Sequence, residues 1–430
     1  VLDGRGRRLV GDGSRGTSGV VVRGSGVVVR GLRVEGFQHC VLVSGASGVE
    51  VSNVTASGCA EGVFVVNSTG VRVRGSLLSG NVAGVSASFS RGVEVSGNLV
   101  EGGVWGVYAV NTTPLEVSRN RVVNSSWGLV LLHSPGARLL GNEFWGCGVY
   151  TVASPGCSAA NNTVNGRPLV YLEGAEGVEV RDAGQVVLVN CSRVRVHGLS
   201  IRRASVGILA YGTRGATIES CEVVGNVWGI MLHSSSNVTV RGNWVEGNEV
   251  GLYLYESRGN EVVGNALLRN GLGLWLACSP SNGIRGNCFI LNRVQATAGC
   301  GENSWSGNYW SDADPGGPYR VGTGNVDERP LAACPLPRVL ELPPPACRLS
   351  PVGNGTPGAG GLLVVAVEAG GGLPPRALRL RLRAPSGSSE TGWLRWDRSE
   401  GPWDAALRRA ALRAEAPGPA TVEAEVVDAA

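Results

Sequence analysis

Apolar residues recur every 22 positions from the start of the chain to Ala298. Val51, Val73 and Val95 stand in one such column, and the second half repeats the pattern in its own frame. Between the columns apolar and polar residues alternate, as in the segment 92–96, which is typical of strands rather than helices. Gly-Asn pairs, which tolerate the left-handed backbone of tight corners, separate these short strands. The pattern predicts three strands and three corners in each repeat.

Such a repeat describes one coil of a right-handed parallel β-helix. Coils stack at the inter-strand distance of about 4.8 Å, so about 13 coils would form a rod about 60 Å long. We therefore predict an all-β chain in which residues 1–312 form this β-helix. Asn residues that recur at the same spacing predict hydrogen-bonded ladders between neighbouring coils. These ladders are Asn243, Asn265 and Asn287, and Asn226, Asn248, Asn270 and Asn292.

The repeat is interrupted between residues 156 and 213, where we expect a bulge or loop excursion that could carry a groove. Three aromatic residues, Trp305, Tyr309 and Trp310, stand where a cap should close the rod. Residues 313–347 are rich in Pro and turn formers, which predicts the rest of the cap and a linker.

The last part of the chain, residues 348–430, has a different pattern. Short apolar segments separated by Gly/Pro turns predict an immunoglobulin-like β-sandwich. Residues 404–415 have the composition of a short helix, although the sandwich requires a strand there.

Composition excludes several classes of protein. With 43% hydrophobic and 17% charged residues the chain is not disordered. A net charge of +4 over 430 residues is too weak to suggest a nucleic-acid binder. No apolar stretch reaches the roughly 18 residues that a membrane span needs. The first residues resemble a mature or trimmed start rather than a signal peptide.

Particular segments resemble a known family. Leu2-Asp3-Gly4, the repeated Val-x-Val-x-Gly-Asn coils and the block 307–312 (Gly-Asn-Tyr-Trp-Ser-Asp) with Pro330 are similar to NosD-type right-handed β-helix proteins. These belong to the wider class of carbohydrate-binding and sugar-hydrolase β-helices. The C-terminal part resembles immunoglobulin-like modules of prokaryotic, particularly archaeal, surface proteins. The resemblance implies an exported protein, but the fold hosts lyases, hydrolases, adhesins and structural proteins.

Export is also indicated by the sequon Asn-x-Ser/Thr, the acceptor of N-linked glycans, which occurs eight times. Two of these sites, Asn67 and Asn111, stand two periods apart on the same corner of the rod. Corners favour Asn and Ser for conformational reasons alone, which is the alternative explanation. We predict covalent N-glycans at several of the sites. They are Asn53, Asn67, Asn111, Asn124, Asn161, Asn190, Asn237 and Asn354.

The chain contains eleven Cys, and no Cys-x-x-Cys spacing of a metal site. This favours disulfides in an oxidising compartment over zinc. Cys278 and Cys300 are one period apart, so their Cα atoms should lie within disulfide range. Cys334 and Cys347 flank the linker and are a second candidate pair. The odd count leaves one thiol free or intermolecular, and buried unpaired Cys in the core is the alternative for any single residue. Further candidate pairs are Cys147 with Cys157 and Cys191 with Cys221.

Candidate catalytic residues are few. Sugar hydrolases need two carboxylates a few ångströms apart. Only Asp3, Asp12 and Asp182 precede residue 312, and most Glu residues alternate with Val on outward positions. The nearest approach to a lyase-like cluster is Arg202 and Arg203, which lie in the interrupted region, near Asp182 in sequence.

Metal sites are weakly indicated. NosD-type proteins are linked with copper delivery, which draws on His, Met and Cys. His133 and His233 occupy the same corner but stand several coils apart, so they cannot share an ion, and His39 and His197 have no partner nearby in sequence. Met231 is the one Met.

Calcium is a further weak candidate. Asp312 and Asp314 stand in an Asp/Gly-rich segment, and Asp327 could fold back to it. Calcium takes six to eight oxygen ligands, and the segment departs from a full calcium loop. A turn with surface Asp residues is the simpler interpretation.

The sequence favours a non-enzymatic structural protein of the cell surface: a filament, sheath or surface-layer subunit, or an adhesin, that associates with itself and has no cofactor. The alternative is a protein that binds or degrades surface polysaccharide as a lyase or hydrolase. A periplasmic copper-handling role is less favoured. All 38 basic residues are Arg, which with one Met and many Cys is compatible with a thermophile. Candidate sugar-stacking platforms are Trp105, Trp127, Trp228, Trp244 and Tyr255.

Overall fold

The computed structural model describes residues 1–313 and 317–336, and after these the backbone of seven further strands. The described chain contains β-strands and turns but no helix. Its first part is a β-helix of about 14 turns, which confirms the predicted fold and its 22-residue period. The β-helix has two halves, each with three sheets, which we name A, B and C in the first half and D, E and F in the second.

The first half contains three parallel sheets. Sheet A contains Leu2–Asp3, Val28–Arg30, Glu50–Ser52, Arg72–Arg74, Val93–Ser96, Leu115–Ser118, Arg138–Leu140 and Ser158–Ala160. Sheet B contains Arg8–Val10, Arg33–Glu35, Thr55–Ser57, Leu77–Ser79, Leu99–Glu101, Arg121–Val123, Glu143–Trp145 and Thr163–Val164. Sheet C contains Ser18–Val22, His39–Ser44, Glu61–Val66, Ala83–Ser88, Trp105–Val110, Trp127–Leu132 and Val149–Val152.

The second half repeats this arrangement. Sheet D contains Glu179–Val180, Arg195–His197, Thr217–Glu219, Thr239–Arg241, Glu261–Val263, Gly283–Arg285, Ser304–Ser306, Asn325–Asp327 and the antiparallel Tyr319–Gly322. Sheet E contains Ser200–Arg202, Glu222–Val224, Trp244–Glu246, Ala266–Leu268, Cys288–Ile290 and Tyr309–Trp310. Sheet F contains Arg167–Glu173, Gln185–Val189, Val206–Tyr211, Trp228–His233, Val250–Tyr255, Leu272–Ala277 and Val294–Ala298.

The apolar columns of the sequence are the inward-facing side chains. Val51 pairs with Val73 and Val73 with Val95 in parallel register, and all three are fully buried. Because each coil places the same residue type at the same point, the core is a continuous stack along the rod.

The predicted asparagine ladders are present. Asn265 Oδ1 accepts hydrogen bonds from the backbone N–H and the side-chain amide of Asn243, at 3.0 and 2.9 Å. Asn265 Nδ2 donates to the carbonyl of Val240 at 2.9 Å. Each buried amide therefore satisfies both its donors and its acceptor within the stack. The second predicted ladder, which begins at Asn226, has the same geometry.

The C-terminal end of the core is closed by aromatic residues, as predicted. The ring of Trp310 is fully buried between Phe289 and Tyr319, with centroids 4.2 and 4.0 Å away. The antiparallel strand Tyr319–Gly322 covers the last turn by pairing with Asn325–Asp327.

Beyond the β-helix the described strands are antiparallel. One sheet contains Ala346–Pro351, Leu362–Gly370 and Ala406–Arg413, and the other contains Ala377–Ala384, Gly387–Glu390, Leu394–Arg395 and Thr421–Val427. Residues 406–413 thus form a strand rather than the helix that their composition suggested. The immunoglobulin-like identity of residues 348–430 stays a prediction.

Candidate functional site

The two halves of the β-helix meet at a reversed hairpin. After the last strand of sheet B the chain turns back through Asn165 and Gly166, so that Arg167 pairs antiparallel with Val164. Both turn residues have positive φ, 52° and 77°, as a two-residue hairpin of this type requires. Strand Arg167–Glu173, the first strand of sheet F, therefore pairs with the last strand of sheet B instead of stacking on sheet C, and sheets B and F form one continuous 15-stranded sheet. We call this transfer of the chain, from the stack on sheet C to the continuation of sheet B, the change of face. It is the interruption predicted between residues 156 and 213.

The change of face leaves the last strand of sheet C without a strand above it, and two side chains take that place. Gln185 accepts a hydrogen bond from Val149 N at 2.8 Å and donates to the carbonyls of Val149 and Val206 at 2.6 and 2.7 Å. Ser205 Oγ accepts from Gly148 N at 2.8 Å. These bonds join the edge of sheet C to sheet F.

Outward-facing side chains of sheet F are buried near this junction. Val187 and Leu209 are fully buried and Met231 is nearly so, although they face away from the core of the second half. Tyr171 precedes them in the same column and lies beside Cys157 of the last turn of the first half. The outer face of sheet F therefore covers the open end of the first half and meets sheet C in an inward corner.

Five aromatic side chains line this corner, and we call them the junction cluster. The ring of Trp228 lies 4.8 Å from that of Trp127 and 5.3 Å from that of Tyr150, both edge to face. Tyr253 lies 5.4 Å from Trp228 and stacks on Trp275 at 4.5 Å. Exposure rises along the outward column of sheet F, from 2% at Met231 through 9% at Tyr253 to 36% at Trp275. The cluster thus ends in an accessible indole.

Tyrosine hydroxyls converge beside these rings. Burial raises the pKa of Tyr150 to about 12, and the nearby phenols of Tyr253, Tyr211 and Tyr255 act in the same direction. A tyrosine hydroxyl is uncharged at pH 7 and can both donate and accept hydrogen bonds.

A histidine lies at the edge of the cluster. The His233 ring is held edge to face between Tyr211 and Tyr255, with centroids 4.8 Å from each. Burial lowers the pKa of His233, and the carboxylate of Glu256 partly offsets this effect. His233 is therefore a neutral imidazole at pH 7.

The strands that form the cluster are free of charged residues, and the carboxylate of Glu256 lies at its edge, beside His233 and Tyr255. The five strands that form it contain no Asp, Glu, Lys or Arg. These strands are Trp127–Leu132, Val149–Val152, Trp228–His233, Val250–Tyr255 and Leu272–Ala277. Aromatic rings combined with neutral hydroxyls can pack against the C–H face of a sugar ring while exchanging hydrogen bonds with its hydroxyl groups.

The structure brings together three of the five predicted stacking residues. Trp127 and Trp228 belong to the junction cluster, and Tyr255 borders it. Trp105 lies one coil away, in register with Trp127 on sheet C. The prediction was wrong for Trp244, which is buried on sheet E.

Three members of the cluster were missed from the sequence: Tyr150, Tyr253 and Trp275. Tyr253 and Trp275 stand one period apart, so their shared column was a usable signal. Tyr150 lies on sheet C and reaches the cluster only because the chain changes face between sheets C and F. The 22-residue period does not show that these two sheets meet.

A second concave surface, of about 430 Å³, lies on sheet E. Ser200, Glu222, Trp244 and Leu336 contribute to its lining. Trp244 donates its indole N–H to Glu246 at 2.8 Å. Part of the chain that follows the β-helix thus covers an apolar face of sheet E.

Carboxylates are paired with arginines on the outer face of sheet D. Arg195 contacts Glu179 at 3.3 Å and Glu219 at 2.5 Å. Hydrogen bonds from Arg195 and Arg241 hold the pKa of Glu219 below its usual range, and Arg181 does the same for Glu179. A glycosidase acid needs a raised pKa. These two carboxylates therefore fit an ion network better than an acid–base pair.

The lyase-like cluster suggested by sequence is not formed. Arg202 pairs with Glu222 at 2.9 Å on sheet E, and Arg203 occupies a corner with φ of 53°. Asp182 is exposed and forms no ion pair with either arginine among the described residues.

The predicted calcium ligands have other partners. Asp327 is fully buried and accepts hydrogen bonds from Asn308 and Trp310. Asp312 accepts hydrogen bonds from Tyr319 and Gln295, both at 3.2 Å. Asp314 lies outside the described residues. In the described part of the chain no three His, Cys, Asp or Glu side chains converge as a metal site.

The histidines do not fit a copper site. His39 Nδ1 lies 2.8 Å from Glu61, and His197 Nε2 lies 2.8 Å from Glu179. His133 is exposed at its corner, and His233 is enclosed by tyrosines. Each of them lies in a different setting, whereas copper needs several soft ligands around one ion.

Three disulfides are present in the described residues. The predicted pair Cys278–Cys300 is confirmed, with Cα atoms 4.4 Å apart. Cys334 bonds to Cys288 rather than to Cys347, whose side chain lies outside the described residues. The third disulfide, Cys40–Cys59, was not predicted because its partners are 19 residues apart, off the period.

The other predicted cysteine pairs are wrong. Cys147, Cys157, Cys191 and Cys221 are free thiols, and all four are buried. Burial raises the pKa of Cys147 to about 12 and that of Cys221 to about 11. Such thiols act as small core residues rather than as nucleophiles.

The sequon asparagines share one conformation. Seven of the eight lie in the described residues, where each is exposed and has a φ between 47° and 56°. Asn354 lies outside the described residues. The corner geometry explains why Asn is placed there, and it also leaves each side-chain amide accessible to a modifying enzyme.

The chain belongs to the right-handed parallel β-helix family. Residues 18–167 match the family described as right-handed β-helix region. Residues 145–317 match the family described as periplasmic copper-binding protein (NosD). No curated protein matches the chain. Within the described residues no helix has the length and apolar character to cross a bilayer.

Several solved structures are similar. The catalytic domain of a GH87 α-1,3-glucanase in complex with tetrasaccharides is 12% identical with a TM-score of 0.32, and the match covers 66% of this chain and 65% of that domain. A DFA-IIIase from Arthrobacter chlorophenolicus A6 is 10% identical with a TM-score of 0.26, over 55% of this chain and 79% of the other. The tailspike protein of E. coli bacteriophage HK620, in complex with a pentasaccharide, is 9% identical with a TM-score of 0.30, and the match covers 94% of this chain and 84% of the tailspike. The chain spans just under two thirds of the glucanase domain.

These comparisons correct the prediction that the chain is not an enzyme. Its fold is shared with catalytic domains of glycoside hydrolases, so a non-enzymatic role does not follow from the β-helix. At such low identity the likeness shows the fold alone. A structural filament or surface-layer role has no support here, and self-association stays a prediction.

Proposed function

We propose that this protein belongs to the polysaccharide-binding and polysaccharide-degrading β-helix proteins, and that it holds a polysaccharide chain along the junction cluster. The observation that carries the proposal is the convergence of five aromatic rings from two sheets in one inward corner. Buried aromatic surface is normally enclosed by a core, whereas here Trp275 is 36% exposed on the outer face of sheet F. Such a surface is suited to sugar rings.

The absence of Arg and Lys from the strands of the corner favours a neutral polysaccharide. Uronate polymers carry one negative charge per acidic sugar, and their recognition relies on Arg or Lys. The five strands that form the corner contain neither residue. Tyrosine hydroxyls, such as that of Tyr150, and the neutral His233 instead offer hydrogen bonds that suit sugar hydroxyls.

An exported location supports this function. Three disulfides are formed among the described residues, which is typical of proteins in an oxidising compartment. The second half also matches a family described as periplasmic. Polysaccharides of cell surfaces and surroundings are accessible to such a protein.

Affinity electrophoresis against a panel of neutral and acidic polysaccharides tests the proposal. Trp275→Ala should lower the affinity for the retained polysaccharide at least about fivefold, since each aromatic contact contributes about 1–3 kcal/mol. Trp145→Ala is the matched control, because Trp145 is 37% exposed on sheet B, outside the cluster. Equal binding by wild type and Trp275→Ala would contradict the assignment of the site.

The same incubations distinguish binding from degradation. New reducing ends without absorbance near 230 nm indicate hydrolysis, whereas new reducing ends together with that absorbance indicate the unsaturated sugars of a lyase. Either product should disappear with Trp228→Ala, because Trp228 contacts three of the other four cluster rings.

A further inference from the structure

One corner of the first half carries an unusual column of residues. Asn67, Phe89, Asn111 and His133 follow one another at the corner after sheet C, each 22 residues from the next. Backbone hydrogen bonds keep the corner in register: Asn67 N donates to Ser88 O at 3.1 Å, and Phe89 N donates to the carbonyl before Asn111, also at 3.1 Å. Neighbouring members of the column are therefore one coil, about 4.8 Å, apart.

Phe89 is the anomalous member of this column. Its φ of 49° places a bulky aromatic residue in the left-handed region, which Asn tolerates and Phe rarely adopts. Its side chain is 62% exposed, the highest value among the exposed aromatic residues of the described chain. Phe89 therefore contributes little to the core and is unfavourable for its own corner, so stability of the coil does not explain it.

The two neighbours of Phe89 are both glycosylation sequons. Asn67 lies one coil before it and Asn111 one coil after it, and both side chains are exposed. The threonines of the two sequons, Thr69 and Thr113, likewise lie one coil before and one coil after Arg91. The intervening coil thus has Phe and Arg where its neighbours have the Asn and Thr of a sequon.

We propose that Asn67 and Asn111 carry N-linked glycans and that Phe89 is the platform on which the first sugars of both glycans pack. A sugar attached to either Asn begins about one coil away from the ring, within reach of its face. The apolar C–H face of the sugar covers Phe89, while Arg91 offers guanidinium donors to the sugar hydroxyls. The glycans thereby remove the exposed aromatic surface that the bare corner leaves in water.

The site is separate from the junction cluster and does not depend on polysaccharide binding there. Phe89 lies on a corner of the first half, whereas the cluster lies on the outer faces of sheets C and F. Failure of one proposal would leave the other intact.

Occupancy is tested first, on protein isolated from the cells that make it. Mass spectrometry of glycopeptides should find a glycan on both Asn67 and Asn111. Unmodified peptides at these two positions would overturn the proposal. Asn53, which has the same conformation and exposure without an aromatic neighbour in its column, serves as the comparison site.

The platform is tested by replacing the ring. Wild type, Phe89→Leu and Phe89→Trp are produced in the same glycosylating host, and Tm is measured before and after removal of N-glycans. The Tm increment due to glycans should be about 1–3 °C in wild type and in Phe89→Trp, and should be lost in Phe89→Leu. Leu keeps an apolar side chain at the strained corner, so it controls for strain.

A spectroscopic readout serves if a variant folds poorly. Sugar protons above the Phe89 ring should be shifted upfield in the NMR spectrum of glycosylated wild type. The shifts attributed to each site should vanish in the single variants Asn67→Gln and Asn111→Gln. Sugar proton shifts equal to those of a free glycan, or equal Tm increments in wild type and Phe89→Leu, would overturn the platform.

Discussion

Asp327 Oδ2 accepts hydrogen bonds from both the backbone N–H and the side-chain amide of Asn308, at 2.9 and 3.0 Å. Asn308 is the last member of the ladder that contains Asn265 and Asn287. In such a ladder each amide donates to the next oxygen, so the final donors need an acceptor that carries no donor of its own. A carboxylate meets this need, and Asp327 also accepts from Trp310 Nε1 at 3.3 Å.

Replacing Asp327 should therefore destabilise the C-terminal end of the rod. In the wild type, the Asp327 carboxylate accepts a hydrogen bond from the backbone N–H of Gly307 at 3.2 Å. In Asp327→Asn the side-chain N–H₂ group faces this N–H, so two donors oppose each other. We expect a loss of about 1–3 kcal/mol in the free energy of unfolding, and a larger loss for Asp327→Ala. Urea unfolding followed by tryptophan fluorescence measures it. Asp182→Asn, at an exposed position, is the control and should change stability by less than about 0.5 kcal/mol.

Binding at the junction cluster should depend little on salt. Because the five surrounding strands carry no charged residue, ionic screening has no attraction to weaken. The dissociation constant for the retained polysaccharide should change by less than about twofold between 0.05 and 0.5 M NaCl. Titration calorimetry at the two salt concentrations measures this. A tenfold loss of affinity in high salt would show that charged groups outside the corner hold the ligand.

The protein should become less stable as the pH is lowered, because His233 is neutral in the folded chain. Burial lowers the pKa of His233 below its ordinary value of 6.5, despite the opposing effect of Glu256. As the pH falls below 6.5, the unfolded chain takes up this proton before the folded chain does, so the free energy of unfolding decreases. The contribution is complete above pH 6.5 and is lost progressively as the pH falls towards the folded pKa.

His233→Phe keeps an aromatic ring between Tyr211 and Tyr255 but cannot titrate. Relative to wild type, this variant should become more stable as the pH is lowered from 7 to 5. Thermal unfolding at several pH values checks this. Parallel pH profiles for the two proteins would show that His233 is not held neutral by its surroundings.

The disulfide between Cys288 and Cys334 should hold the segment after the β-helix against sheet E. Its partners are 46 residues apart, and a loop of that length corresponds to about 4 kcal/mol of stabilisation in the chain-entropy description. Beneath the segment, Leu268 and Tyr309 are fully buried. Cys334→Ser should lower stability and expose this apolar face, seen as increased binding of a hydrophobic dye.

Cys300→Ser provides the comparison, because it removes a disulfide between neighbouring coils that covers no such face. It should lower stability without increasing dye binding. If Cys334→Ser bound no more dye than Cys300→Ser, the disulfide would not be what keeps sheet E covered.

Much of the rod was predictable because its interactions join residues one period apart. The column of Val51, Val73 and Val95, the ladder through Asn265 and the Cys278–Cys300 disulfide all follow from a spacing of 22 residues. A parallel coil stacks each residue on its own counterpart, so a repeated residue type specifies the contact directly.

Most of the candidate site was not predictable in this way. Trp127 and Trp228 are 101 positions apart, which is not a multiple of the period, yet their rings are 4.8 Å apart. The Cys288–Cys334 disulfide likewise joins a coil to a segment outside the repeat. Neither contact leaves a periodic signal.

The sequence by itself determined the repeating coil, its buried columns, its ladders and the position at which the repeat is interrupted. Only the tertiary structure decided what the interruption does. The hairpin at Asn165 and Gly166 moves the chain from one face of the rod to another, so the outer face of sheet F meets sheet C in a corner. A one-dimensional period records which residues stack, but the angle between two stacks depends on how the chain turns between them, and that turn places the aromatic rings together.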